Sequence, residues 1–416
     1  MNMFSKKHLS KLEPSSTLLI NEQCKAIEKS GKEVFKFGFG QSPFPIPQLI
    51  VDELKIHAFE KDYLPVNGLL SLRNAIHKNL LKKELNHFSV NNIFVGPGTK
   101  QLMFLLQLAF DGDIILPAPS WVSYEPQSII SKNKVLWIQT KVENNWHVTA
   151  DEINEILKQS NSKNKFIILN SPNNPSGTNA RNLEELSKIF KKNNIIVLSD
   201  EIYSDLNFSD NYDSIAKYYP EKTIISNGLS KWCGAGGWRL GFFAIPDSLK
   251  ELNNTMQVLA SEAYSSASAP VQYAAIAAYE TDQSKFLKHS KKILNLISDY
   301  CYKKLNTNNI EVIKPEGGFY IMPDFSKLLK HKFESSSNFC KILLEETGVA
   351  VLPGSDFGFD PEKLIFRLSF VDFDGEKFLN YSYSKENLNE DDLFLFAPKI
   401  TKGIQKIVDW SSKQKA

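Results

Sequence analysis

Short apolar runs alternate with amphipathic stretches between residues 90 and 245 of this chain. Five of the six runs are continuously hydrophobic over three or four positions, which is typical of strands that are buried on both faces of a sheet, and the last is two isoleucines between Thr223 and Ser226. The runs cover residues 93–95, 114–116, 135–138, 166–169, 195–198 and 223–226. Between them apolar residues recur at helical spacing, as in residues 99–109 and 182–192. This alternation predicts a mainly parallel sheet with helices on both faces.

Beyond residue 245 the pattern becomes helical and then mixed. Helical spacing predicts helices over about 248–260, 270–280 and 283–305 and a last helix over about 398–411. Between them strands are predicted near residues 311–313, 319–322, 349–352 and 364–370. Residues 372–392 are polar and lack a period, which predicts a surface insertion.

The length of 416 residues exceeds the size at which a single hydrophobic core stops growing. We therefore predict an α/β protein with a large domain over residues 51–295 and a smaller α+β domain over residues 296–416. The N-terminal segment, residues 1–50, is expected to join the smaller domain. In parallel sheets of this kind, ligands bind beyond the carboxyl ends of the strands.

Charge and apolar content exclude several classes of partner. The chain has 49 basic and 47 acidic side chains, a net charge of +2, so neither nucleic acid nor an anionic membrane surface is expected as a partner. The most apolar stretch, residues 102–110, is far too short to span a membrane, and no signal sequence is recognisable. Four scattered cysteines without a CxxC pair indicate neither a zinc site nor a disulfide framework, and a cytoplasmic protein without a metal is expected.

A glycine-rich block with one lysine follows the apolar run 223–226. Lys231 lies among small and apolar residues, where an amine can act as a nucleophile towards a carbonyl carbon. Arg239, eight positions later, offers a rigid fork that suits a phosphate group. A flexible loop with two surface cations explains the same residues, so this block alone leaves both interpretations open.

Asp200 and Tyr203 follow the apolar run 195–198 and are therefore expected in the ligand crevice. A carboxylate there could pair with the protonated ring nitrogen of a pyridine cofactor, an interaction of roughly 4 kcal/mol at about 4 Å and an effective dielectric constant near 20. Tyr203 could donate to a phenolate oxygen. An aspartate that only caps a helix is the alternative.

Two further segments follow strands in the same manner. In residues 170–177, two prolines and a glycine favour a rigid turn that could direct Asn174 into the crevice, although an ordinary turn has the same composition. Residues 96–100, GPGTK, join a strand to a helix, where free amides favour an anion and where Thr99 and Lys100 add a hydroxyl and a charge. The spacing does not fit a nucleotide-binding P-loop.

In order and spacing, these segments resemble the fold-type-I pyridoxal-phosphate aminotransferases of class I/II, the aspartate aminotransferase family. The resemblance covers nearly the whole chain, and residues 228–241 agree with the lysine-attachment signature of the family at every position that can be compared. It implies a seven-stranded sheet in the large domain, pyridoxal 5'-phosphate as the cofactor, and ping-pong transfer of an amino group between an L-amino acid and a 2-oxo acid.

The resemblance also implies roles for individual residues towards the cofactor. Lys231 would bind it covalently and carry a proton to and from the substrate carbon, and Asp200 would pair with its ring nitrogen. Tyr203 and Asn174 would hydrogen-bond its ring oxygen. Trp121 would pack against its ring, although a buried core tryptophan is the alternative. The phosphate contacts would come from Gly98, Thr99, Lys100 and Arg239. Many members of the family also bind the phosphate through a serine at the position of Gly228, and here Ser230 would replace that contact.

Substrate binding and assembly are implied in the same way. Arg367, in the apolar run 364–370, resembles the arginine that clamps the substrate carboxylate through two hydrogen bonds. Gly40 would offer its amide to that carboxylate, and Asn174 and Trp121 are also expected to contact substrate. Tyr63 resembles the tyrosine that reaches the cofactor phosphate of a neighbouring subunit. A homodimer with a shared active site is therefore expected.

Three alternative functions compete with transamination as explanations of the sequence. A C–S β-lyase of the same fold would use the same cofactor residues, so only the substrate pocket could separate the two. A transcription regulator with an aminotransferase-like sensor domain would need an N-terminal DNA-binding module, for which the residues before Gly38 leave no room. A Rossmann dehydrogenase would need a GxGxxG turn after a strand, which is missing.

Aspartate, glutamate or an aromatic amino acid is expected as substrate, but no residue in the sequence can be identified as the one that binds the substrate side chain.

Overall fold

The structure, a computed structural model, describes residues 4, 6–10, 12–14, 16–209, 211–306, 310–329 and 332–415. The strands are β1 (Phe35–Lys36), β2 (Ile93–Gly96), β3 (Asp113–Ala118), β4 (Lys134–Gln139), β5 (Lys165–Asn170), β6 (Ile196–Asp200), β7 (Thr223–Gly228), β8 (Gly241–Ala244), β9 (Tyr320–Ile321), β10 (Val349–Ala350), β11 (Leu352–Pro353) and β12 (Phe366–Ser369). The helices are α1 (Ser16–Lys29), α2 (Gln48–Ile56), α3 (Leu70–Lys82), α4 (Thr99–Ala109), α5 (Tyr124–Ile130), α6 (Ala150–Leu157), α7 (Leu183–Lys192), α8 (Lys250–Ala263), α9 (Ala269–Glu280), α10 (Ser284–Leu305), α11 (Ser326–Leu329), α12 (Ser336–Thr347), α13 (Gly375–Tyr383), α14 (Glu390–Phe396) and α15 (Pro398–Lys415).

Seven strands form the central sheet in the order β2-β8-β7-β6-β5-β3-β4. All pairs are parallel except those of β8, which runs antiparallel to both β2 and β7. The predicted mainly parallel, seven-stranded sheet is therefore confirmed. The six apolar runs are six of these strands, whereas β8 is not among them. Because β8 is antiparallel, its first residue lies at the edge where the parallel strands end.

Alternate residues of the central strands face two different helical layers. On β3, Ile114 and Leu116 pack in one cluster with residues of α4 and α8, whereas Ile115 packs in a second cluster with residues of α6 and α7. This is the period-two arrangement that continuously apolar strands produce when both faces are covered. The sheet is therefore a rigid base for the loops at its carboxyl edge.

The C-terminal elements form two small sheets beside the central one. Strands β11, β12 and β9 pair antiparallel, and Arg367 on β12 lies opposite Leu352 on β11. The N-terminal strand β1 pairs in parallel with β10, Phe35 opposite Val349. This pairing supports the expected attachment of the N-terminal segment to the C-terminal elements, while the domain boundaries remain predictions.

Two predictions from the sequence pattern were wrong. Residues 372–392, expected to be a surface insertion, contain α13 and the first residues of α14, and Phe378 and Leu379 are fully buried against the C-terminal core. The Asp374 side chain caps α13 by accepting from the amide of Lys377. The strand expected near residues 311–313 is a single bridge between Glu311 and Asp324. Among the described residues, no helix is both long enough and apolar enough to cross a membrane.

Candidate active site

A cavity of about 370 Å³ opens at the carboxyl edge of the central sheet. It lies beyond the ends of β2, β3, β5, β6 and β7, as expected for a sheet of this kind. Its walls are formed by Phe39, Gly40, Thr99, Lys100, Trp121, Asn170, Asn174, Asp200, Ile202, Tyr203, Ser230, Lys231, Arg239, Tyr320 and Arg367. Eleven of the thirteen site residues predicted from the sequence are in this list, and the two others are Gly98 and Tyr63.

Lys231 reaches the cavity from the loop that follows β7. Its Nζ donates a hydrogen bond to the carbonyl oxygen of Gly40 at 2.9 Å. The same amine lies 5.7 Å from the centre of the Tyr203 ring and 5.6 Å from that of Phe319. The lysine is therefore held by one neutral acceptor and two rings, without a carboxylate in contact among the described residues, so its amine is available to a ligand.

Asp200, the last residue of β6, presents a buried carboxylate to the cavity. Oδ2 accepts from the hydroxyl of Tyr124 at 2.6 Å, and Oδ1 accepts from the Ser226 hydroxyl and the Ile202 amide, both at 3.4 Å. Burial raises the pKa of Asp200 to about 6, although the Tyr124 hydrogen bond and the charge of Lys231 oppose the rise. A positive group beside Asp200 would relieve this cost of burial, because an opposite charge favours the ionised form.

Arg367 is a nearly fully buried guanidinium at the opposite wall. Nη1 donates to Asn174 Oδ1 at 3.1 Å and Nη2 donates to the Gly38 carbonyl oxygen at 2.5 Å. Nε is buried without a partner, and Arg367 forms no ion pair with a carboxylate of the described residues. Burial lowers its pKa. An unpaired cation of this kind is suited to bind an anionic group of a ligand, because pairing would offset the cost of its desolvation.

Several cationic and amide groups meet in one corner of the cavity, where α4 begins. Gly98, at φ 88°, precedes Thr99, the first helical residue, so free amides of the helix terminus face this corner. A side chain at position 98 would be strained at this positive φ, and its Cβ would lie 2.3 Å from Nη2 of Arg239, so the guanidinium would have to move. Lys100 stands 5.4 Å over the Trp121 ring, and burial, followed by the charge of Arg239, lowers its pKa. These cations and amides make the corner complementary to an anion.

The departure at Gly228 has a steric reason. A Cβ at this position would lie 2.7 Å from the Gly241 Cα and 2.8 Å from the Leu240 carbonyl oxygen, so the close pairing of β7 with β8 leaves no room for a serine side chain. Ser230 lines the cavity two residues later. A hydroxyl is therefore present in the same loop, at the position predicted to compensate for Gly228.

Tyr63 is the one predicted site residue that the chain does not bring to its own cavity. It lies in the segment between α2 and α3 and is 89% exposed. Phe59, close to it in sequence, is 74% exposed, so the surface there presents large apolar side chains to solvent. A site for Tyr63 within a single chain is not formed.

Comparison with known proteins identifies the family of this chain. The sequence profile of the aminotransferase class I and II family matches residues 32–376. The chain belongs to the class I and II aminotransferases. It is 35% identical to an aspartate aminotransferase of Bacillus sp. (strain YM-2), an alignment that covers 83% of this chain and 90% of the relative. It is 32% identical to a probable aspartate/prephenate aminotransferase of Aquifex aeolicus, covering 84% and 90%.

The fold agrees with this assignment. The crystal structure of an aspartate aminotransferase from Rhizobium meliloti superposes with a TM-score of 0.84 at 25% identity and covers 99% of each chain. The predicted fold type of the pyridoxal-phosphate transferases is therefore confirmed, and so is the predicted activity, transamination. Class I and II aminotransferases generally depend on pyridoxal 5'-phosphate.

The cavity of this aminotransferase fits such a cofactor. A free primary amine, a buried carboxylate, an aromatic ring and an anion-binding corner face one space, contributed by Lys231, Asp200, Trp121 and Arg239. Arg367 also lines the space, and its buried Nε has no hydrogen-bond partner among the described residues, so it adds a cation with an unused donor. The donor set therefore matches an aldehyde, a pyridine ring and a phosphate.

Sequence reasoning missed three side chains of the site. Tyr124 bonds to Asp200, Tyr320 bonds to the Tyr203 hydroxyl at 2.9 Å, and Asn170 holds the loop by accepting from the Asn174 amide at 2.7 Å. Tyr124 lies three residues after Trp121, at the start of α5. Its closeness in sequence to a predicted site residue could have identified it as a further member of the site. Phe319, the neighbour of Tyr320 in sequence, is fully buried and does not line the cavity.

Proposed function

We propose that this chain transfers the amino group of an anionic L-amino acid, aspartate or glutamate before an aromatic one, to a 2-oxo acid with pyridoxal 5'-phosphate held by Lys231. The observation that carries the proposal is the shared cavity, in which Lys231 and the buried carboxylate of Asp200 face the unpaired guanidinium of Arg367. When bound, the cofactor supplies an aldehyde for amines and a ring that withdraws electrons from the substrate α-carbon.

The residues of the chain then have separate tasks. Asp200 keeps the ring nitrogen protonated by its negative charge, and Tyr124 holds that carboxylate in place. Tyr203 and Asn174 would hydrogen-bond the ring oxygen of the bound cofactor, Trp121 would pack against its ring, and residues 98–100, Ser230 and Arg239 would hold its phosphate. Arg367 and the Gly40 amide hold the substrate α-carboxylate.

Lys231 moves the proton in the chemical step. Its Nζ takes the proton from the substrate α-carbon and later returns one, which requires a neutral amine close to that carbon. Arg367 orients the substrate so that this proton faces Lys231. Holding both groups in one cavity converts the step into an effectively unimolecular reaction.

The preference for an acidic substrate is supported by the names of the relatives, aspartate and aspartate/prephenate aminotransferase. The cavity cations Lys100, Arg239 and Arg367 match the cofactor phosphate and the substrate α-carboxylate, which every amino acid substrate has. A screen of the half-reaction over the twenty amino acids, followed by cofactor absorbance, should show aspartate and glutamate converting fastest. Pyruvate released from cysteine-like substrates without an oxo acid would instead indicate the lyase.

Replacement of Arg367 by lysine should raise KM for the amino acid while the absorbance of the bound cofactor is unchanged. Lysine keeps the charge but loses the fork that binds a carboxylate through two parallel hydrogen bonds. The loss of one charge-assisted hydrogen bond, about 1.5–3 kcal/mol, corresponds to roughly 10- to 150-fold in kcat/KM. Steady-state kinetics test this. Arg73→Lys is the matched control, because Arg73 is also buried but donates to the backbone of Gly68 and Val90 outside the cavity. An unchanged KM in Arg367→Lys would remove Arg367 from the substrate site.

We further propose a cytoplasmic homodimer in which Tyr63 reaches the phosphate corner of the partner subunit. Its exposure beside other exposed apolar side chains supports a second subunit on this surface, since large apolar patches usually mark an interface. The four cysteines are buried and unpaired, as is common in reducing compartments.

Tyr63→Ala should weaken cofactor binding about 10- to 100-fold, because a hydrogen bond to a charged group is lost. Mixed with the inactive variant Lys231→Ala, it should regain activity, because each hybrid dimer then contains one complete site. When equal amounts of the two variants pair at random, about half of the dimers are hybrids, and one of the two sites in each hybrid is complete. About one quarter of all sites should therefore be active. No gain of activity on mixing, at any ratio, would show that Tyr63 does not act across subunits.

A further inference from the structure

Tyr320 connects the two halves of the site, although neither the sequence motifs nor the proposed roles include it. Its hydroxyl lies 2.9 Å from that of Tyr203, and both phenols are almost fully buried. Its ring lies 4.7 Å from the guanidinium carbon of Arg367. One side chain therefore contacts both the tyrosine that faces the cofactor and the arginine that binds substrate.

The position of Tyr320 is fixed by close packing. A Cβ on Gly40 would lie 2.0 Å from the Tyr320 hydroxyl oxygen, so the backbone of Gly40 closes one side of that hydroxyl. The carbonyl of the same glycine accepts from Lys231. The ring of Phe357, 5.2 Å from the Arg367 guanidinium carbon, confines that group as well. Tyr320 is only 1% exposed, and its hydroxyl has Tyr203 as its hydrogen-bond partner among the described residues.

The number of protons fixes the direction of this hydrogen bond once a cofactor is bound. A neutral tyrosine has one proton to donate, and Tyr203 stays neutral because burial and the neighbouring Tyr320 raise its pKa. If Tyr203 donates to the ring oxygen of the cofactor, it has no proton left for Tyr320. The hydroxyl of Tyr320 must then be the donor in the pair, with Tyr203 as the acceptor.

We propose that Tyr320 is a positioning residue of the transamination site, which donates to the Tyr203 hydroxyl and thereby directs the single proton of Tyr203 towards the cofactor. The inference rests on the proposed function of the cavity. An accepted hydrogen bond strengthens the donation that the same hydroxyl makes, because such chains polarise one another. Tyr203 is consequently a better donor to the ring oxygen than an isolated tyrosine.

Tyr320→Phe tests this proposal by the pH dependence of the visible absorbance of the cofactor-loaded protein. The ring oxygen accepts hydrogen bonds both from Tyr203 and from a proton on the nearby nitrogen of Lys231. When Tyr203 is a weaker donor, the oxygen holds the proton on the Lys231 nitrogen more tightly. The pH at the midpoint of the absorbance change should therefore rise by about half a pH unit. Tyr203→Phe should shift it further in the same direction. Because phenylalanine retains the ring against Arg367, KM for the amino acid should change less than twofold or so.

The control is Tyr279→Phe, which removes another buried tyrosine hydroxyl, one without a partner among the described residues and outside the cavity. Its midpoint should equal that of the wild type. A midpoint in Tyr320→Phe that equals the wild-type value overturns the inference. If that variant does not fold, Tyr320→Met, which also removes the hydroxyl but fills the space with a flexible apolar side chain, decides by the same criterion. A wild-type protein that binds no pyridoxal 5'-phosphate and shows no visible absorbance would refute the proposed function instead.

Discussion

Lys231→Ala should reduce transamination by about 10⁴-fold or more, because the variant loses both the nucleophile that holds the cofactor and the base that moves the α-proton. Reduction of the cofactor-loaded wild type with borohydride, followed by peptide mapping, should place the label on Lys231. The variant should carry no label, although it should retain non-covalent binding through the phosphate corner. Part of the lost rate should return when a small primary amine is added, since the amine replaces Nζ as the base.

Lys83→Ala is the appropriate control for the lysine replacement. Lys83 is also partly buried, but it pairs with Asp205 at 2.7 Å and lies outside the cavity. This variant should be labelled at Lys231 and should remain active. Label on any other lysine of the wild type, or wild-type activity in Lys231→Ala, would contradict the assignment.

The architecture could be predicted from the sequence because its strands are continuously apolar. Residues buried on both faces of a sheet need no polar alternation, so runs such as 166–169 mark β5 to within one residue at each end. The antiparallel strand β8 was not found by this pattern, since Gly241–Ala244 directly follows a glycine-rich loop. Only the resemblance to the family supplied the seventh strand.

The error at residues 372–392 has a different physical reason. Helix α13 is short, and the part of α14 within this range is three acidic residues, so the apolar face is carried by few positions such as Phe378 and Leu379. The ends of both helices are defined by caps instead. Asn389 and Asp392 form a capping box, and an N-cap aspartate precedes α13. A search for caps would have found both helices where a search for periodicity failed.

The site was predictable as far as it depends on single strand ends. Asp200 and Lys231 follow buried strands, and parallel strands bring those ends to one edge. The contacts between the central sheet loops and the C-terminal strands leave no local pattern in the sequence. Tyr203 and Tyr320 are 117 residues apart, and Arg367 and Asn174 are 193 apart, so neither pair is visible in the spacing of a motif. These contacts exist only because β9 and β12 lie beside the cavity.

Asp200→Asn should lower kcat/KM by about 10³-fold at neutral pH. A carboxylate that pairs with a protonated ring nitrogen is worth roughly 4 kcal/mol, or about three decades in rate, if the whole pairing is needed in the transition state. Asparagine keeps the volume and can still accept from Tyr124, so the loss reports the charge. Single-turnover measurements with saturating cofactor test this. Glu201→Gln is the matched control, because Glu201 is an adjacent buried carboxyl that bonds to Ser199 and Ser214 away from the cavity.

The pH dependence at Asp200 follows from its pKa of about 6. A bound, positively charged ring favours the ionised form of Asp200. Cofactor affinity should therefore fall as the pH drops through 6, by at most about tenfold per pH unit, and this decrease should be absent in Asp200→Asn.

The pH dependence of folding stability has the opposite sign. Since burial raises the pKa of Asp200 in the folded state, the cofactor-free wild type loses stability as the pH rises from about 4 to 6. Above that range Asp200→Asn should be more stable by roughly 1–3 kcal/mol in denaturant unfolding without cofactor. A variant that is both less stable at pH 7.5 and equally active would show that the buried carboxylate serves packing, not the cofactor.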